Sequence, residues 1–576
     1  MSAPASRSAA DLPAGGSLVP DTGAGSGAPP RASAADEKHF LHSAWTVSAL
    51  TSLSRVLGLV RDTATTWLLG AGPVSDALTW AWSIPNMFRR LFGEGALSSA
   101  FMPIYTRVLE KEGVARARQV SNQVISTLAI FLTLVAAALA LVMLLVSPQM
   151  LADWTGKDVA KAELMLRYTA LLTPYLAFIC IIAQFMGVMN VMGEFAVPAL
   201  ASVILNLMWV AGVIAAAWLL GTTASSPTAL EALNARQGYV IAIAILISGV
   251  LQFLWHLPGL RRLGIGFAFT LPRRSAELTA VLIATGPMLI GMGAVQINIL
   301  IDRAVAETFL SDGAVTHLYY GQRLMQFPQG VVSAALVSAV FPALARMSAR
   351  GDRKSVVSTT SLAIRVNSLL TLPAAVGFMV LAAPIVSLLF EHGHFDASAS
   401  ALTGRALIGF SLGIPFAGLN MLLTRAFYAS GDVKAPMRIA LCAVAVNIAL
   451  DFLLVHPLGE LGLALATSVA TAVNSWMLLA AFRARMNLPR EERLLSGLAP
   501  ALGLTALMGV VVWGVDFGVA RAAAAAGWPA GGMLMLGARC GAGMGAGLAV
   551  YLGLAGRLCP REWNELSRLW RRRPAA

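Results

Sequence analysis

Long apolar segments, each about the length of a membrane-spanning helix, recur along the chain from about residue 40 to about residue 557. Short polar connections separate these segments. This pattern predicts an all-α integral membrane protein with about fourteen transmembrane helices, rather than a membrane barrel. The composition agrees, because 57% of the 576 residues are hydrophobic and only 12% are charged, whereas an ordinary soluble domain has about 25% charged residues.

Lysine and arginine crowd every second connection between the apolar segments. By the positive-inside rule these connections face the cytoplasm, so we expect an even number of spans with both termini cytoplasmic, in the cytoplasmic (inner) membrane. The net charge of +13 is explained by these connections and does not require a nucleic-acid partner. The basic connections run from Arg107 to Arg118, Arg261 to Arg274, Arg346 to Lys354, Arg483 to Arg493 and Arg571 to Arg573.

The two ends of the chain differ in composition from the apolar part. Residues 1–38 are rich in Ala, Ser, Gly and Pro and contain no apolar signal-peptide core, which predicts a disordered cytoplasmic tail. Residues 558–576 form a basic cytoplasmic tail, whose sequence REWNELSRLWRRR fits an interfacial amphipathic helix or a basic stop-transfer flank. The scattered Cys180, Cys442, Cys540 and Cys559 lack metal or disulfide spacing.

Two short motifs recur at an offset of about 239 residues. Ser-Ala-x-x-Pro-x-x-x-Arg begins at Ser99 and again at Ser338, and Gly-Glu/Asp-x-x-x-Pro begins at Gly193 and again at Gly431. An offset of about six helices gives both copies the same orientation, which is typical of transporters with a substrate site between two lobes. The repeat predicts an N-lobe over 39–260, a C-lobe over 275–486 and two additional helices over 495–557.

Charged residues lie inside the apolar segments, where an Arg or Asp at a helix centre costs about 2.5–3.5 kcal/mol. Such side chains face the interior of a helix bundle or a water-filled cavity and indicate function. The arginines outnumber the acids, which implies an anionic ligand, and the guanidinium fork suits a phosphate or diphosphate. The charged residues are Arg55, Arg61, Asp62, Asp76, Arg89, Arg90, Glu94, Asp302, Arg303, Arg323 and Asp451.

Ion pairs among these side chains are the alternative interpretation. Arg55 and Asp62 share a helix face, and Glu94 is close enough in sequence to neutralise a neighbouring arginine. Arg89 and Arg90 point about 100° apart on an α-helix. We therefore expect Arg89 to face the cavity, with Arg90 at an interface or paired with Glu94.

A second polar cluster is predicted in the C-lobe. Asn447 and Asp451 are four residues apart and share a helix face, and Asp302 and Thr467 lie in other predicted spans. Their oxygens are ligands that a hard cation prefers, so a sodium site is one interpretation. Hydrogen bonds between helices are the other.

Three segments carry a resemblance to a known family: SRVLGLVRD, GAGPVSDALTWAWSIPNMFRRLFGEGALSSAFMPI and YYGQRLMQFPQGV. They closely resemble the MurJ/MviN family of lipid II flippases, within the multidrug/oligosaccharidyl-lipid/polysaccharide exporter superfamily, and the resemblance extends over about residues 40–560. It implies fourteen helices, a central cavity and no enzymatic activity. It also implies export of lipid II, the undecaprenyl-diphosphate-linked peptidoglycan precursor, by alternating access.

The resemblance also implies roles for individual residues. Gln322 departs from an aspartate of some relatives and is given no role. Members with a sodium site resemble this chain at Asp302, Asn447, Asp451 and Thr467; no other cofactor is implied. The implied substrate-binding residues are Arg55, Arg61, Asp62, Asp76, Arg89, Glu94, Thr316 and Arg323.

Other functions stay open on the sequence. A flippase for a different undecaprenyl-diphosphate oligosaccharide would use the same arginines, whereas an exporter of cationic drugs would be expected to have an acidic, aromatic cavity. A membrane glycosyltransferase or phosphatase would need a catalytic acid, base or metal cluster near an aqueous loop, and the short loops show none. Lipid II and the cell-wall synthesis machinery are the expected partners.

Overall fold

The computed structural model describes residues 34–93, 95–487, 498–529 and 531–571, and within these ranges it contains helices and no strand. Nine of the described helices are long and apolar enough to cross a membrane, or eleven if each of two bent pairs is one span. One of the nine runs 73 residues, from Pro73 to Leu145, which is far longer than a bilayer requires. Gly113, with φ 82° and ψ 177°, divides it. The predicted count of fourteen is consistent with this arrangement.

The first lobe contains seven α-helices and one π-helix. The π-helix, π1, interrupts the second span. The helices are α1 (Ala34–Leu69), α2 (Pro73–Phe88), π1 (Arg89–Gly93), α3 (Ala96–Leu145), α4 (Pro148–Thr155), α5 (Val159–Val191), α6 (Ala196–Leu220) and α7 (Pro227–Arg262).

The second lobe repeats this order, and three further helices follow it. Its own π-helix, π2, again interrupts the second span. The helices are α8 (Ala276–Phe309), α9 (Ala314–Pro328), π2 (Gln329–Ser333), α10 (Ala334–Ala349), α11 (Arg353–Val380), α12 (Ala382–Phe390), α13 (Ala397–Ser411), α14 (Ile414–Ala429), α15 (Lys434–Leu458) and α16 (Glu460–Met486). The additional helices are α17 (Leu498–Ala525), α18 (Met533–Leu558) and α19 (Pro560–Arg571).

The backbone confirms that the two lobes are related by a parallel repeat. The π-helices begin 240 residues apart, at Arg89 and Gln329. Four pairs of glycines with positive φ, a conformation that glycine adopts at little cost, end helices at corresponding turns 237 or 238 residues apart. These pairs are Gly113 with Gly351, Gly156 with Gly393, Gly193 with Gly431, and Gly221 with Gly459.

The predicted boundaries of the lobes and tails differ from the helices in detail. Helix α1 begins at Ala34, inside the predicted tail of residues 1–38, and residues 1–33 lie outside the described residues. In the basic tail, Pro560–Arg571 is the helix α19, and Glu562 forms an ion pair with Arg365 of α11 at 3.3 Å. Residues 572–576 are outside the described residues.

The connection between the lobes is attached to the first lobe. Residues 263–275 run along α3, where the side chains of Asn122 and Ser126 accept hydrogen bonds from the backbone N–H groups of Ala268 and Thr270, at 3.3 and 3.0 Å. Helix α8 then bends by 50° between Ala276–Gly286 and Gly291–Phe309. Its first part contributes Leu278 and Val281 to the N-lobe core, so the bend separates a part packed on the N-lobe from the rest of the C-lobe.

Candidate functional site

A cavity of about 240 Å³ lies between the two lobes. It is lined from the N-lobe by α1, α2, π1, α5, α6 and α7, and from the C-lobe by α8 and α9. No carboxylate occurs among its described lining residues. Six arginines of the described chain line it: Arg55, Arg61, Arg89, Arg90, Arg303 and Arg323.

Asp62 holds two of these arginines from opposite lobes. Its carboxylate accepts a hydrogen bond from Nε of the neighbouring Arg61 at 2.9 Å and one from Nε of Arg323, in α9, at 3.2 Å. Arg61 is buried, lies 4.6 Å above the Trp209 ring and donates to Asn206 Oδ1 at 3.3 Å. Its side chain is 5% exposed and that of Arg323 is 35% exposed. Arg323 is therefore the member of this group that is open to a ligand.

The π-helix of the N-lobe is stabilised from within its own lobe. A π-helical turn changes the hydrogen-bonding register, and buried carbonyls need a donor. The Gln184 side chain, in α5, supplies one, because its Nε2 donates to the Phe92 carbonyl at 2.7 Å and to Ser98 Oγ at 3.0 Å. Gln184 is fully buried.

Arg89 and Arg90 both begin this π-helix and both line the cavity. The expected separation, with Arg90 away from the cavity, assumed an α-helix with 100° between successive residues. The wider π-helical turn reduces this angle and brings the two side chains towards the same space. Arg89 donates to Asn86 Oδ1 through Nη2 at 3.0 Å. The predicted partner, Glu94, lies outside the described residues.

The π-helix of the C-lobe is contacted from the other lobe. Arg55, in α1, donates from Nη2 to the Gly330 carbonyl in π2 at 3.3 Å. A Cβ atom at Gly330 would lie only 2.8 Å from this Nη2 atom. The position that corresponds to Gln184, 238 residues later, is Leu422, which cannot donate a hydrogen bond. A cavity arginine of the N-lobe therefore donates to the backbone of π2.

Asp76 and Thr316 lie away from the cavity lining. Asp76 is buried near the start of α2 and accepts hydrogen bonds from the backbone N–H groups of Gly313 and Thr316, at 2.7 and 2.9 Å. The Thr316 hydroxyl donates to the same carboxylate at 2.7 Å. Asp76 thus caps the N-terminus of α9, a helix of the opposite lobe. The structure places these two predicted site residues at a contact between the lobes.

Lys161, in the first turn of α5, completes this contact. Its buried ammonium group lies 3.0 Å from Asp76, 2.7 Å from Glu307 and 2.8 Å from Asp312. Partial burial raises the pKa of Asp312, but the hydrogen bond and the positive charge of Lys161 lower it more, so the net pKa is below the ordinary value. We call Asp76, Lys161, Glu307, Asp312 and Thr316 the polar seal.

A backbone contact lies at the same end of the molecule. The His394 N–H donates to the Trp67 carbonyl at 3.0 Å, and the His394 ring lies 3.0 Å from the Thr222 carbonyl. Gly393 has φ 61°, and any side chain there would collide with the Trp67 backbone. The polar seal and this contact close the two lobes together where α1 ends and α9 begins.

The predicted C-lobe cluster is brought together in the fold. Asn447 Nδ2 donates to Asp302 at 3.0 Å and to Asp451 at 2.7 Å. Thr467 donates to its own helix, at the Leu463 carbonyl, and lines with Asp302 a small cavity of about 30 Å³. Asp451 Oδ1 is buried without a hydrogen-bond partner in the described part of the chain. Carboxylate oxygens are ligands that a hard cation such as sodium prefers, but the small cavity beside Asp302 is lined by Arg303 and not by Asp451.

Sequence reasoning missed several of these residues. Arg303 was recognised as an intramembrane charge but not as a cavity residue, although it donates to the Thr79 carbonyl of α2 at 3.3 Å. Lys161 and Glu307 were overlooked because each lies near the end of a span, where charge is inexpensive. A search for opposite charges at the ends of successive spans would have found them.

Comparison with known proteins agrees with this architecture. A sequence profile described as "Lipid II flippase MurJ" matches residues 66–523. A probable lipid II flippase MurJ of Rhizobium tropici is 34% identical over 467 residues, which cover 81% of this chain and 85% of the relative.

Two solved structures share the fold. A lipid II flippase MurJ in an inward closed conformation superimposes with a TM-score of 0.69 at 23% identity, over 88% of this chain and 98% of that one. An inward-facing multidrug resistance transporter of the MATE family, in the MOP superfamily, gives a TM-score of 0.59 at 17% identity, over 76% of this chain and 96% of that one.

Proposed function

The chain belongs to the MurJ family of lipid II flippases, and we propose that it moves lipid II from the inner to the outer leaflet of the cytoplasmic membrane. The observation that carries this proposal is the cavity with six arginines and no carboxylate among its described lining residues. In a site partly shielded from water, such positive charge requires an anion, and the diphosphate of lipid II supplies one.

The arginines have different availability for the diphosphate. Arg61 stays with Asp62 because both side chains are buried and in direct contact. Arg323 is more exposed and has a longer bond to Asp62, so a diphosphate competes with that carboxylate for Arg323. Arg55 exchanges a bond of 3.3 Å to a neutral carbonyl for bonds to a charged phosphate oxygen, which are stronger because both partners are ionised. Arg323 and Arg55 are therefore the proposed first contacts, with Arg89 completing the clamp.

Alternating access is the proposed transport mechanism. The polar seal and the Trp67–His394 contact close one end of the cavity, and the basic connections lie at the opposite end of the helices. If those connections and both termini are cytoplasmic, the closed end faces the outside, and opening at the other end would admit lipid II from the side on which it is made. A volume of about 240 Å³ is below the 300–1,000 Å³ of ordinary ligand pockets, so the lobes separate further to admit the whole headgroup.

Two energy sources fit this cavity. Moving one charge through the membrane field is worth about 2.3 kcal/mol per 100 mV, so the potential can reset a cavity that contains many arginines.

A sodium ion is the second source. It would be held by the side chains of Asp302, Asn447, Asp451 and Thr467, and it would supply positive charge beside Asp302. Transport should then depend on sodium in the wild type and not in Asp451→Asn, and equal rates in sodium and in choline would contradict the sodium site.

Depletion of the protein in its host tests the function directly. We expect lipid II to accumulate on the cytoplasmic side while the externally accessible pool falls, and plasmid-borne wild type to restore both. Expressed at the same level, Arg323→Ala should not restore export of lipid II, and Arg323→Lys should restore it in part. A normal external pool after depletion, in cells without a second flippase, would contradict the proposal. Accumulation of a different undecaprenyl-diphosphate oligosaccharide would instead favour the related flippase function.

A further inference from the structure

The C-lobe wall of the cavity carries three glutamines as well as two arginines. On α9, Tyr319, Gln322, Arg323 and Gln326 follow one another at helical spacing and all line the cavity. On α8, Gln296 and Arg303 belong to a second such row. The polar part of this wall therefore combines arginine with neutral amides.

Contacts between the rows define their relative register. Arg303 lies 5.8 Å from the Tyr319 ring, and α8 and α9 are successive spans that run in opposite directions. Two turns further from that contact, at about 5.4 Å per turn, lie Gln296 on α8 and Gln326 on α9. Gln322 and Arg323 occupy the intermediate turn of α9. Gln296 and Gln326 thus lie further from the polar seal than Arg323, while Gln322 lies beside Arg323. Arg55 contacts the Gly330 carbonyl one turn beyond Gln326, so these amides lie among the cavity arginines.

The amides of Gln296, Gln322 and Gln326 are half-buried and make no side-chain hydrogen bond to the described part of the chain. An amide has two donors and one acceptor oxygen, and burying it without partners is unfavourable. A structural role would have joined these amides to neighbouring helices, as it does for Gln184. Their free donors and acceptors face the cavity instead.

We propose that Gln296, Gln322 and Gln326 form a binding subsite for the sugar next to the diphosphate, recognising its hydroxyl and acetamido groups. The subsite rests on the proposed function, because it takes a sugar attached to the diphosphate that the arginines bind. Its ligand is neutral, bears many hydrogen-bonding groups and is covalently next to the diphosphate, which matches neutral amides that lie among the cavity arginines. Sites built to hydrogen-bond a group discriminate strongly against ligands that lack it.

Binding of two lipids to the purified full-length protein tests the subsite. Lipid II carries both the sugar and the diphosphate, and undecaprenyl diphosphate carries the diphosphate alone. The double variant Gln322→Met/Gln326→Met keeps the side-chain length and removes the amides. We expect it to bind lipid II about tenfold more weakly, which corresponds to about 1.4 kcal/mol, and to bind undecaprenyl diphosphate with unchanged affinity.

Controls separate this inference from the proposed function. Arg323→Ala should weaken binding of both lipids, and Gln149→Met, at a glutamine outside the cavity, should change neither. If the double variant binds lipid II as the wild type does, or loses both lipids equally, the sugar subsite is wrong. If Arg323→Ala binds both lipids normally, the diphosphate clamp fails, whatever the glutamine variants show. The unfolding temperature of each variant confirms that it folds.

Discussion

The two π-helices stand at corresponding positions of the two lobes but are held in different ways. In the N-lobe, the carbonyl of Phe92 is satisfied by Gln184 of the same lobe. In the C-lobe, the carbonyl of Gly330 is contacted by Arg55 of the other lobe. If the lobes separate during transport, the bond to Phe92 is kept and the bond from Arg55 is broken, while Ser333 of π2 keeps its hydrogen bond to Asn367 of the same lobe. The N-lobe therefore presents a fixed arginine wall, and the C-lobe backbone responds to the position of an arginine that is proposed to bind substrate.

The largest effect is expected where both lobes share one buried carboxylate. Asp62→Ala leaves Arg61 buried without its acid and removes the link to Arg323. Removing one partner of a buried ion pair costs about 3–5 kcal/mol, so the unfolding temperature in detergent should fall sharply. The unfolding temperature of Asp62→Asn, which keeps a hydrogen-bond acceptor, should fall less. Equal stability of Asp62→Ala and the wild type would show that Asp62 does not neutralise Arg61.

Replacing Gln184 of the N-lobe by leucine, the residue at the corresponding C-lobe position, removes the difference between the two π-helices. Gln184→Leu introduces the side chain found at Leu422 and leaves the Phe92 carbonyl without its donor. An unsatisfied buried group costs about 1–3 kcal/mol, so we expect lower thermal stability and faster hydrogen exchange at residues 89–93. Gln149→Leu, on the exposed surface, is the matched control and should change stability little. Unchanged exchange in π1 would mean that Gln184 is not needed there.

A methyl group added to π2 tests the contact between Arg55 and the C-lobe π-helix. Gly330→Ala places a Cβ atom 2.8 Å from Arg55 Nη2, and the arginine must move. We expect transport to fall about tenfold, equivalent to about 1.4 kcal/mol in the barrier, with little change in unfolding temperature. Gly377→Ala, at a C-lobe position with open space around the added atom, should transport normally. Loss of stability without loss of transport would place the role of Gly330 in folding.

The smallest effect is expected at the exposed edge of the polar seal. Because the pKa of Asp312 is lowered in the folded protein, its stabilisation is complete above the ordinary aspartate pKa of about 3.9. It is lost as the pH falls through the lower folded value. Asp312→Asn should lower the free energy of unfolding by only about a few tenths of a kcal/mol at neutral pH, because the Asp312 side chain is 44% exposed. Lys161 also keeps its ion pairs with Asp76 and Glu307. Stability measured against pH should converge for the two proteins in acid.

Much of the architecture could be predicted from the sequence. The Ser-Ala-Pro-Arg motifs at Ser99 and Ser338 indicated two parallel lobes, and the arginines of the second span indicated a cavity. These inferences succeeded because hydrophobic length and intramembrane charge are constrained wherever a helix meets lipid.

The π-helices could not be predicted, because a change of hydrogen-bonding register leaves no periodic signal in a uniformly apolar segment. This is why Arg90 was expected away from the cavity. The partners of Asp76 also depend on how two distant lobes meet, which no local pattern specifies. Gln322 was given no role because it departs from the aspartate of some relatives, and sequence alone does not show that its side chain lines the arginine cavity.

Lipid II transport by the purified protein in vesicles tests the central claim most directly. Vesicles that contain wild type, Arg323→Ala or Arg323→Lys are loaded with lipid II in one leaflet, and its appearance in the other leaflet is measured under a membrane potential. The arginine cavity predicts rapid transfer by the wild type, transfer at the protein-free rate by Arg323→Ala, and intermediate transfer by Arg323→Lys. Transfer by Arg323→Ala at the wild-type rate would contradict the assignment of this cavity as the path of the diphosphate.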